Sequence, residues 1–367
     1  LRVLATVERY APAIGGAERV VQRVAEGLAA RGHEVHVLTG GAPEEVELGG
    51  VHVHRLPVSG NEVRGIHGDG SSVASLIARI EPDIVFNYAA QTWATDCCFD
   101  LLEREGRPRM VLAPCGFSGL GKRRYERYFA AMPERLRGYD ALILHSAVYQ
   151  DWKFASDAGA ERIHVVPNGA DPPASGDTLG LTAPGRSLAV TVGSHVVSKG
   201  HAQFARAIRA LARERALTGV IVAPPRRGLD ALRGCQLTCQ ARARVQPLRI
   251  LDGSLPGAVA SAISAADLFL FTSRVECAPL VILEAMAAGS PWVSYDVGNV
   301  SELPGGVVAG SFGELLDAAG QVLDGKRPEL GTQGREAWEA DHRWEDIIPR
   351  YESVFNEVLE APSAPRA

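Results

Sequence analysis

The sequence predicts an α/β protein made of two consecutive domains, each an open, mostly parallel sheet covered by helices. Three observations carry that prediction. A strand–helix–strand alternation opens the chain and restarts past its middle. A stretch rich in Pro, Gly, Ser and Asp, residues 171–186, separates the two runs. The chain has 367 residues, more than one ordinary core holds when a domain averages ~150.

The elements follow in order. Residues 1–7 (LRVLATV) read as a short buried strand. A loop with Gly15-Gly16 follows, then Val20, Val21, Val24 and Leu28 at helical spacing, closed by Gly32. Residues 33–39 (HEVHVLT) alternate into a second strand, which completes a βαβ unit and implies parallel pairing. Further strands are expected at 51–56, 84–87, 110–113 and 141–144. The pattern restarts with a strand at 187–192, a loop holding Gly193, Lys199 and Gly200, and a helix marked by Phe204, Ile208 and Leu211. Strands at 218–222, 266–272 and 292–295 continue it. Residues 344–359 carry a last helical stripe of Ile347, Ile348, Tyr351, Val354, Phe355 and Val358.

Composition narrows the function classes. Apolar residues make up 46% and charged residues 22%, which excludes a disordered, collagen-like or coiled-coil chain. A net charge of −5 is not the basic footprint of a nucleic-acid binder. No apolar run reaches the ~18–20 residues of a membrane-spanning helix, and the chain opens directly into a strand, so no leader is expected. The six cysteines are irregularly spaced, lack a C-x-x-C pair, and read as free thiols of a reducing cytoplasm.

In an open parallel sheet, ligands sit beyond the carboxyl ends of the strands, where both halves place glycines. Gly15-Gly16 precedes a helix, so unpaired N–H groups would face a phosphate; a simple tight turn is the alternative. Lys199 offers a point charge to a phosphate, against a merely solvated lysine. Glu276 falls in a loop at a strand end, and Glu284 about one turn into the following helix, so both carboxylates can reach vicinal hydroxyls of a sugar or ribose. The amides of Cys277, Ala278 and Leu280, with Pro279 lacking one, form a helix N-terminus able to hold an anion.

At these residues the sequence resembles the retaining glycosyltransferases of family 4, which have the GT-B fold. The resemblance rests on YAPAIGGAERVV, on VVPNGAD at 165–171, on VGSHVVSKG at 192–200 and on ECAPLVILEAMAAG. It implies two Rossmann-like domains facing a central cleft: residues 1–166 on the acceptor side, 167–343 for the nucleotide sugar, a helix at 344–360 crossing back to the first domain, and a flexible tail at 361–367. Glu284 would hold the ribose hydroxyls and Glu276 the donor sugar. The amides from Cys277 to Leu280, with Gly193 and Ser194 of the neighbouring loop, would bind sugar and phosphate. Lys199 would offset the leaving diphosphate, and Gly16 would close over it. Catalysis is thus assigned to Glu276 and Lys199.

The expected activity is metal-independent, retaining transfer of a hexose-type sugar from a nucleoside-diphosphate sugar to an acceptor hydroxyl. The nucleotide sugar is a co-substrate and no cofactor is expected. Hydrolase or epimerase action on the same donor, or a degenerate binding module, stay as alternatives. Ser194 stands where many relatives carry an arginine, which Arg226 or Arg227 could replace. Cys115 stands where many carry a sugar-contacting histidine, and reads equally as an inert thiol. His195 could partly compensate, but is expected as a solvated loop residue. Leu251, in a loop expected at 248–255, would lie near the base.

Two further features carry readings. His52 and His54 share one strand face, expected to be solvated rather than metal-binding. Residues 116–138 interleave Lys122, Arg123, Arg124, Arg127, Arg135 and Arg137 with Phe117, Tyr125, Tyr128 and Phe129. That segment reads as a solvated helix face, a grip on an anionic acceptor, or a peripheral contact with the inner face of a membrane.

Overall fold

The computed structural model describes every residue except Ile14, Ser175, Gly176, Arg227 and 362–367. Arg227 and nearly all of the expected tail therefore lie outside the described residues. The chain divides into two compact units, 1–168 with 344–367, and 169–343.

The first unit holds strands β1 (Arg2–Thr6), β2 (Glu34–Gly40), β3 (Glu44–Leu48), β4 (Val51–Leu56), a small hairpin of β5 (Ser59–Asn61) and β6 (Gly65–His67), then β7 (Ile84–Tyr88), β8 (Arg109–Ala113), β9 (Ala141–Leu144) and β10 (Ile163–Val165). Its helices are α1 (Gly16–Ala30), α2 (Ser71–Ile80), α3 (Trp93–Asp96), α4 (Glu126–Gly138) and α5 (Gln150–Asp157). The main sheet runs β10-β9-β8-β7-β1-β2-β4-β3. All pairings are parallel except β3 with β4. β3 reads EEVEL, an edge strand whose glutamates discourage further pairing. β7 is buried along its whole length, as a central parallel strand covered on both faces must be.

The second unit alternates β11 (Ser187–Val192), α6 (His201–Leu211), β12 (Leu217–Ala223), α7 (Gln236–Ala243), β13 (Leu248–Asp252), α8 (Ala258–Ser264), β14 (Leu268–Phe271), α9 (Leu280–Ala288), β15 (Trp292–Tyr295), β16 (Gly306–Ala309), α10 (Phe312–Leu323) and α11 (Glu329–Asp341). Its sheet runs β13-β12-β11-β14-β15-β16, wholly parallel. Numbered within the unit, that order is 3-2-1-4-5-6, the doubly wound arrangement. Two apolar clusters cover its faces, one built on Phe204, Ile208 and Leu315, the other on Phe269, Ile282 and Trp338.

The last helix, α12 (Trp344–Glu360), belongs to the first unit. Its buried stripe is Ile347, Tyr351, Val354, Phe355 and Val358. Phe86 of β7 meets Tyr351 and Phe355 with ring centroids 5.7 and 5.5 Å away. Glu352 of α12 takes Arg31 at 2.6 Å and His33 at 2.7 Å. Close approach to α1 requires Gly27, where a Cβ would overlap the Ile348 side chain.

Two sequence expectations change here. Residues 248–255 are not one loop: the first five form edge strand β13, because Leu248, Ile250 and Leu251 pack toward apolar clusters on the two faces of the sheet. The aromatics of 116–138 do not interleave with the cations on one surface. Tyr125, Tyr128, Phe129, Met132 and Leu136 recur at helical spacing and are buried together with Phe117. Lys122, Arg123, Arg124 and Arg127 stay exposed, while Arg135 pairs with Glu62 at 2.7 Å and lies over the Phe99 ring.

Candidate functional site

In the second unit the strand order reverses between β11 and β14, so the loops leaving their carboxyl ends part there and open a crevice. The β11 loop ends in a 3₁₀ turn, Val197–Lys199, and the β14 loop carries Glu276. Lys199 Nζ donates to Glu276 Oε1 at 2.6 Å. Their side chains are 28% and 12% exposed, so the pair reaches solvent without lying open to it.

The backbone around the pair is clamped. Arg274 N–H donates to Ser198 O at 2.8 Å, Ser273 Oγ to the same oxygen at 3.2 Å, and Thr272 Oγ1 to Gly200 O at 3.0 Å. Gly200 sits at φ +71°, and any Cβ there would overlap the Thr272 carbonyl oxygen. Only glycine lets the two loops approach this closely. The Lys199 stem lies over Gly193, where a Cβ would stand 3.2 Å from its Cδ.

Cys277, Ala278 and Pro279 follow Glu276, with Pro279 capping α9 and Leu280 opening it. Asn299 N–H holds Cys277 O at 2.9 Å from the far side. Glu284 is half-buried on the second turn of α9. Ser194 is exposed on the β11 loop. The Arg226 guanidinium donates to the carbonyls of Asp230 at 2.9 Å and His195 at 3.5 Å. Leu251 is half-buried on β13 and packs on the core rather than in a loop.

His195 is not a solvated loop histidine. It is 1% exposed. Its Nδ1 lies 3.8 Å from Cys235 Sγ, and Nδ1 of His201 lies 3.4 Å from Cys235 Sγ and 3.9 Å from Cys239 Sγ. All six cysteines are unbridged. The Cys239 thiol donates to the Cys235 sulfur, which, with the two imidazoles, pulls Cys235 below the ordinary thiol range. The same shared proton pushes Cys239 above the ordinary thiol range. Sequence reasoning missed this cluster.

The first unit reverses its strand order between β1 and β7. A cavity of about 330 Å³ opens at the carboxyl ends of β1, β7 and β8, lined by Asn61, Gln91, Thr92, Ser118 and Tyr125 with Glu8 and Arg64. That size suits a small ligand. Five non-glycine residues have positive φ among those described, and Ala89, Gln91 and Cys115 line this cavity while Phe117 adjoins it. Strained backbone gathers where a site must hold a particular shape. Cys115 faces a buried polar cluster: its Sγ is 3.9 Å from His145 Nε2, which lies 3.1 Å from Tyr88 Oη. Burial pushes the Cys115 thiol up to about 12 and lowers His145, so both are neutral near pH 7.

Gly15 and Gly16 have different reasons to be glycine. Glu18 is buried on the first turn of α1, pairs with Arg9 at 2.8 Å, and folds back so that a Cβ on Gly15 would overlap its carboxylate. The helix N-terminus expected to lie open to phosphate is thus faced by the chain's own carboxylate, at the third helical position where such a group reaches back. A Cβ on Gly16 would meet nothing within 4 Å. His54 also departs from expectation: it is buried, 2.9 Å from His36 and 3.3 Å from Glu45, while His52 is exposed.

Residues 14–173 match Glycosyltransferase Family 4, and residues 186–324 match Glycosyl transferases group 1. N-acetyl-alpha-D-glucosaminyl L-malate synthase of Bacillus anthracis is 32% identical over 109 residues, a stretch covering 28% of this chain and 29% of that enzyme. Sucrose-phosphate synthase from Thermosynechococcus elongatus superposes with a TM-score of 0.81 over 98% of this chain and all (100%) of its own, at 17% identity. Anabaena HepE, solved with UDP and glucose, gives 0.69 over 97% and 99% at 16% identity. The chain belongs to these glycosyltransferases and has their GT-B fold of two Rossmann-like domains.

Proposed function

We propose that this glycosyltransferase moves a hexose-type sugar from a nucleoside-diphosphate sugar to an acceptor hydroxyl, with retention at the anomeric carbon and no metal on the diphosphate. The observation that carries the reading is the Lys199–Glu276 pair at the reversal of the second sheet, 2.6 Å apart and partly screened from water. The bond from the anomeric carbon to the β-phosphate oxygen breaks, leaving an oxocarbenium-like sugar and an anion. Lys199 offsets that anion as a compact charge, aimed before reaction begins. Glu276 orients the ammonium and accepts from sugar hydroxyls. Glu284 accepts from the ribose hydroxyls, and the N–H groups at the start of α9 hold sugar and phosphate oxygens. The acceptor oxygen bonds on the face the phosphate leaves, and its proton passes to the departing phosphate.

The cavity of the first unit is assigned to the acceptor. Its lining is mostly uncharged donors and acceptors, which suits a polyhydroxylated molecule. The exposed cations Lys122, Arg123, Arg124 and Arg127 would draw in an acceptor that carries, or is embedded among, anionic groups. No helix among the described residues is long and apolar enough to cross a membrane.

Thermal-shift measurements with UDP, GDP, ADP and TDP, and with their sugars, identify the nucleotide, since a ligand of the native state raises its stability. Product anomers are then read by NMR without added divalent metal. A selective shift followed by an anomer-retained glycoside supports the reading. Sugar release without any acceptor would make the chain a hydrolase. Tight donor binding with no turnover across acceptors would make it a binding module.

A further inference from the structure

The cluster of His195, His201, Cys235 and Cys239 has no part in the proposed chemistry. All four residues are buried. Their nearest ligand atoms, one per residue, lie within 4.8 Å of one another. A tetrahedral zinc with bonds of about 2.0–2.1 Å to nitrogen and 2.3 Å to sulfur has ligand–ligand edges of roughly 3.4–3.8 Å. The contacts of 3.4 and 3.8 Å fall within that range and the one of 3.9 Å just beyond it, so an ion would draw the four atoms together by a few tenths of an ångström to about 1 Å. His201 turns its Nδ1 toward both sulfurs, packs edge-on against His195, and leaves its Nε2 buried without a hydrogen-bond partner among the described residues.

We propose that these four side chains form a closed structural zinc site. Two thiolates and two imidazoles in a buried tetrahedron favour zinc over harder cations. The spacing fits: five residues separate the histidines and three the cysteines, within the ranges such sites use. Two thiolates neutralise the dication, so the buried site carries no net charge. Binding displaces any thiol protons to solvent. No position is left for substrate, so the ion does not act on the sugar.

The placement gives the site a task. His195 and His201 bracket the turn that ends in Lys199, while Cys235 and Cys239 sit at the start of α7. The same seam is already close-packed: Cys235 N–H donates to His195 O at 3.3 Å, and a Cβ on Gly234 would overlap that oxygen. A metal here ties the lysine loop to the helix beyond the neighbouring strand β12. The site itself stands on its four ligands alone; its effect on donor affinity rests on the proposed role of Lys199.

The test uses the full chain, purified under reducing conditions from zinc-supplemented medium. Plasma mass spectrometry after gel filtration should find about one zinc per chain. Replacement by cobalt should give the visible bands of a tetrahedral ion and a sulfur-to-cobalt charge-transfer band. Cys235→Ser with Cys239→Ser should lose the metal, whereas Cys97→Ser with Cys98→Ser should keep it. Stripping the metal from the wild type should lower its unfolding temperature by several degrees. Wild-type chain holding under about a tenth of an equivalent, with no tetrahedral cobalt spectrum, would overturn the proposal. A Cys235–Cys239 disulfide found by mass spectrometry in the reduced preparation would do the same. The cobalt spectrum of the wild type decides the matter even if the serine variant does not fold. No sugar donor enters these measurements, so their failure leaves the transferase reading standing.

Discussion

The two units solve the same topological problem with opposite side chains. Each has its strand order reverse beside its first strand, β1 against β7 in one and β11 against β14 in the other. Each therefore has a crevice at the carboxyl ends of those strands. In the second unit the crevice holds a lysine–glutamate pair on loops locked by backbone hydrogen bonds. In the first it holds mainly neutral polar groups on loops bent through positive φ. Topology supplies the opening, and residue choice sets whether it is lined by an ion pair or mainly by neutral polar groups.

The sharpest break in that comparison is Lys199→Ala. Loss of one well-aimed charge at a departing anion costs about 2.7–4 kcal/mol, so steady-state turnover should fall about 10²–10³-fold with little change in acceptor KM. Near-normal turnover would remove the electrostatic role from the second crevice. Gly200→Ala attacks the clamp instead. At φ +71° and against the Thr272 carbonyl, it should destabilise the chain by about 2–3 kcal/mol, read as a lowered denaturation midpoint.

Asp96 tests the first unit through pH. Burial raises its carboxyl to about 6 from 3.8, although Tyr128 Oη and Glu62 N–H each donate to it at 2.9 Å. Between those values the folded chain keeps a proton the unfolded chain has lost, so raising the pH destabilises the fold. Asp96→Asn removes that dependence. Its Tm relative to wild type should climb as pH rises from about 4 to 6 and then level, a span worth on the order of 2 kcal/mol. A flat difference would show that Asp96 is ionised throughout.

Glu284→Gln should raise donor KM about tenfold, roughly 1.4 kcal/mol, and leave acceptor KM alone, because a neutral amide accepts from hydroxyls more weakly than a carboxylate. An equal rise in both constants would take Glu284 out of the donor site. Smallest in stability terms is Arg123→Glu with Arg124→Glu. Both side chains are exposed, so Tm should hold within a degree or so, while binding to anionic vesicles or acceptors weakens in a salt-sensitive way.

Much of the fold was legible because parallel strands bury both faces and leave continuous apolar runs. The stretches 141–144, 187–192 and 292–295 are strands residue for residue, and 51–56 is one by alternation instead. β3 escaped because an edge strand rich in glutamate resembles a loop. The inward turn of Tyr125, Tyr128, Phe129, Met132 and Leu136 was readable at positions i, i+3, i+4, i+7 and i+11, but linear interleaving with arginine masked it. Lys199 and Glu276 were visible as loop residues after strands; their direct contact was not, since it depends on β11 lying next to β14. The His195 cluster was hidden for a similar reason. Its ligands come from segments some forty residues apart, joined only because β12 pairs with β11.

The first unit is interrupted in sequence: α12, which seats on β7 and α1, is synthesised only after the whole second unit. On the ribosome the second unit can close while the first still shows water a bare apolar strip along α1 and β7. The first unit then waits for α12 to finish it, which reverses the usual order in which nascent domains mature.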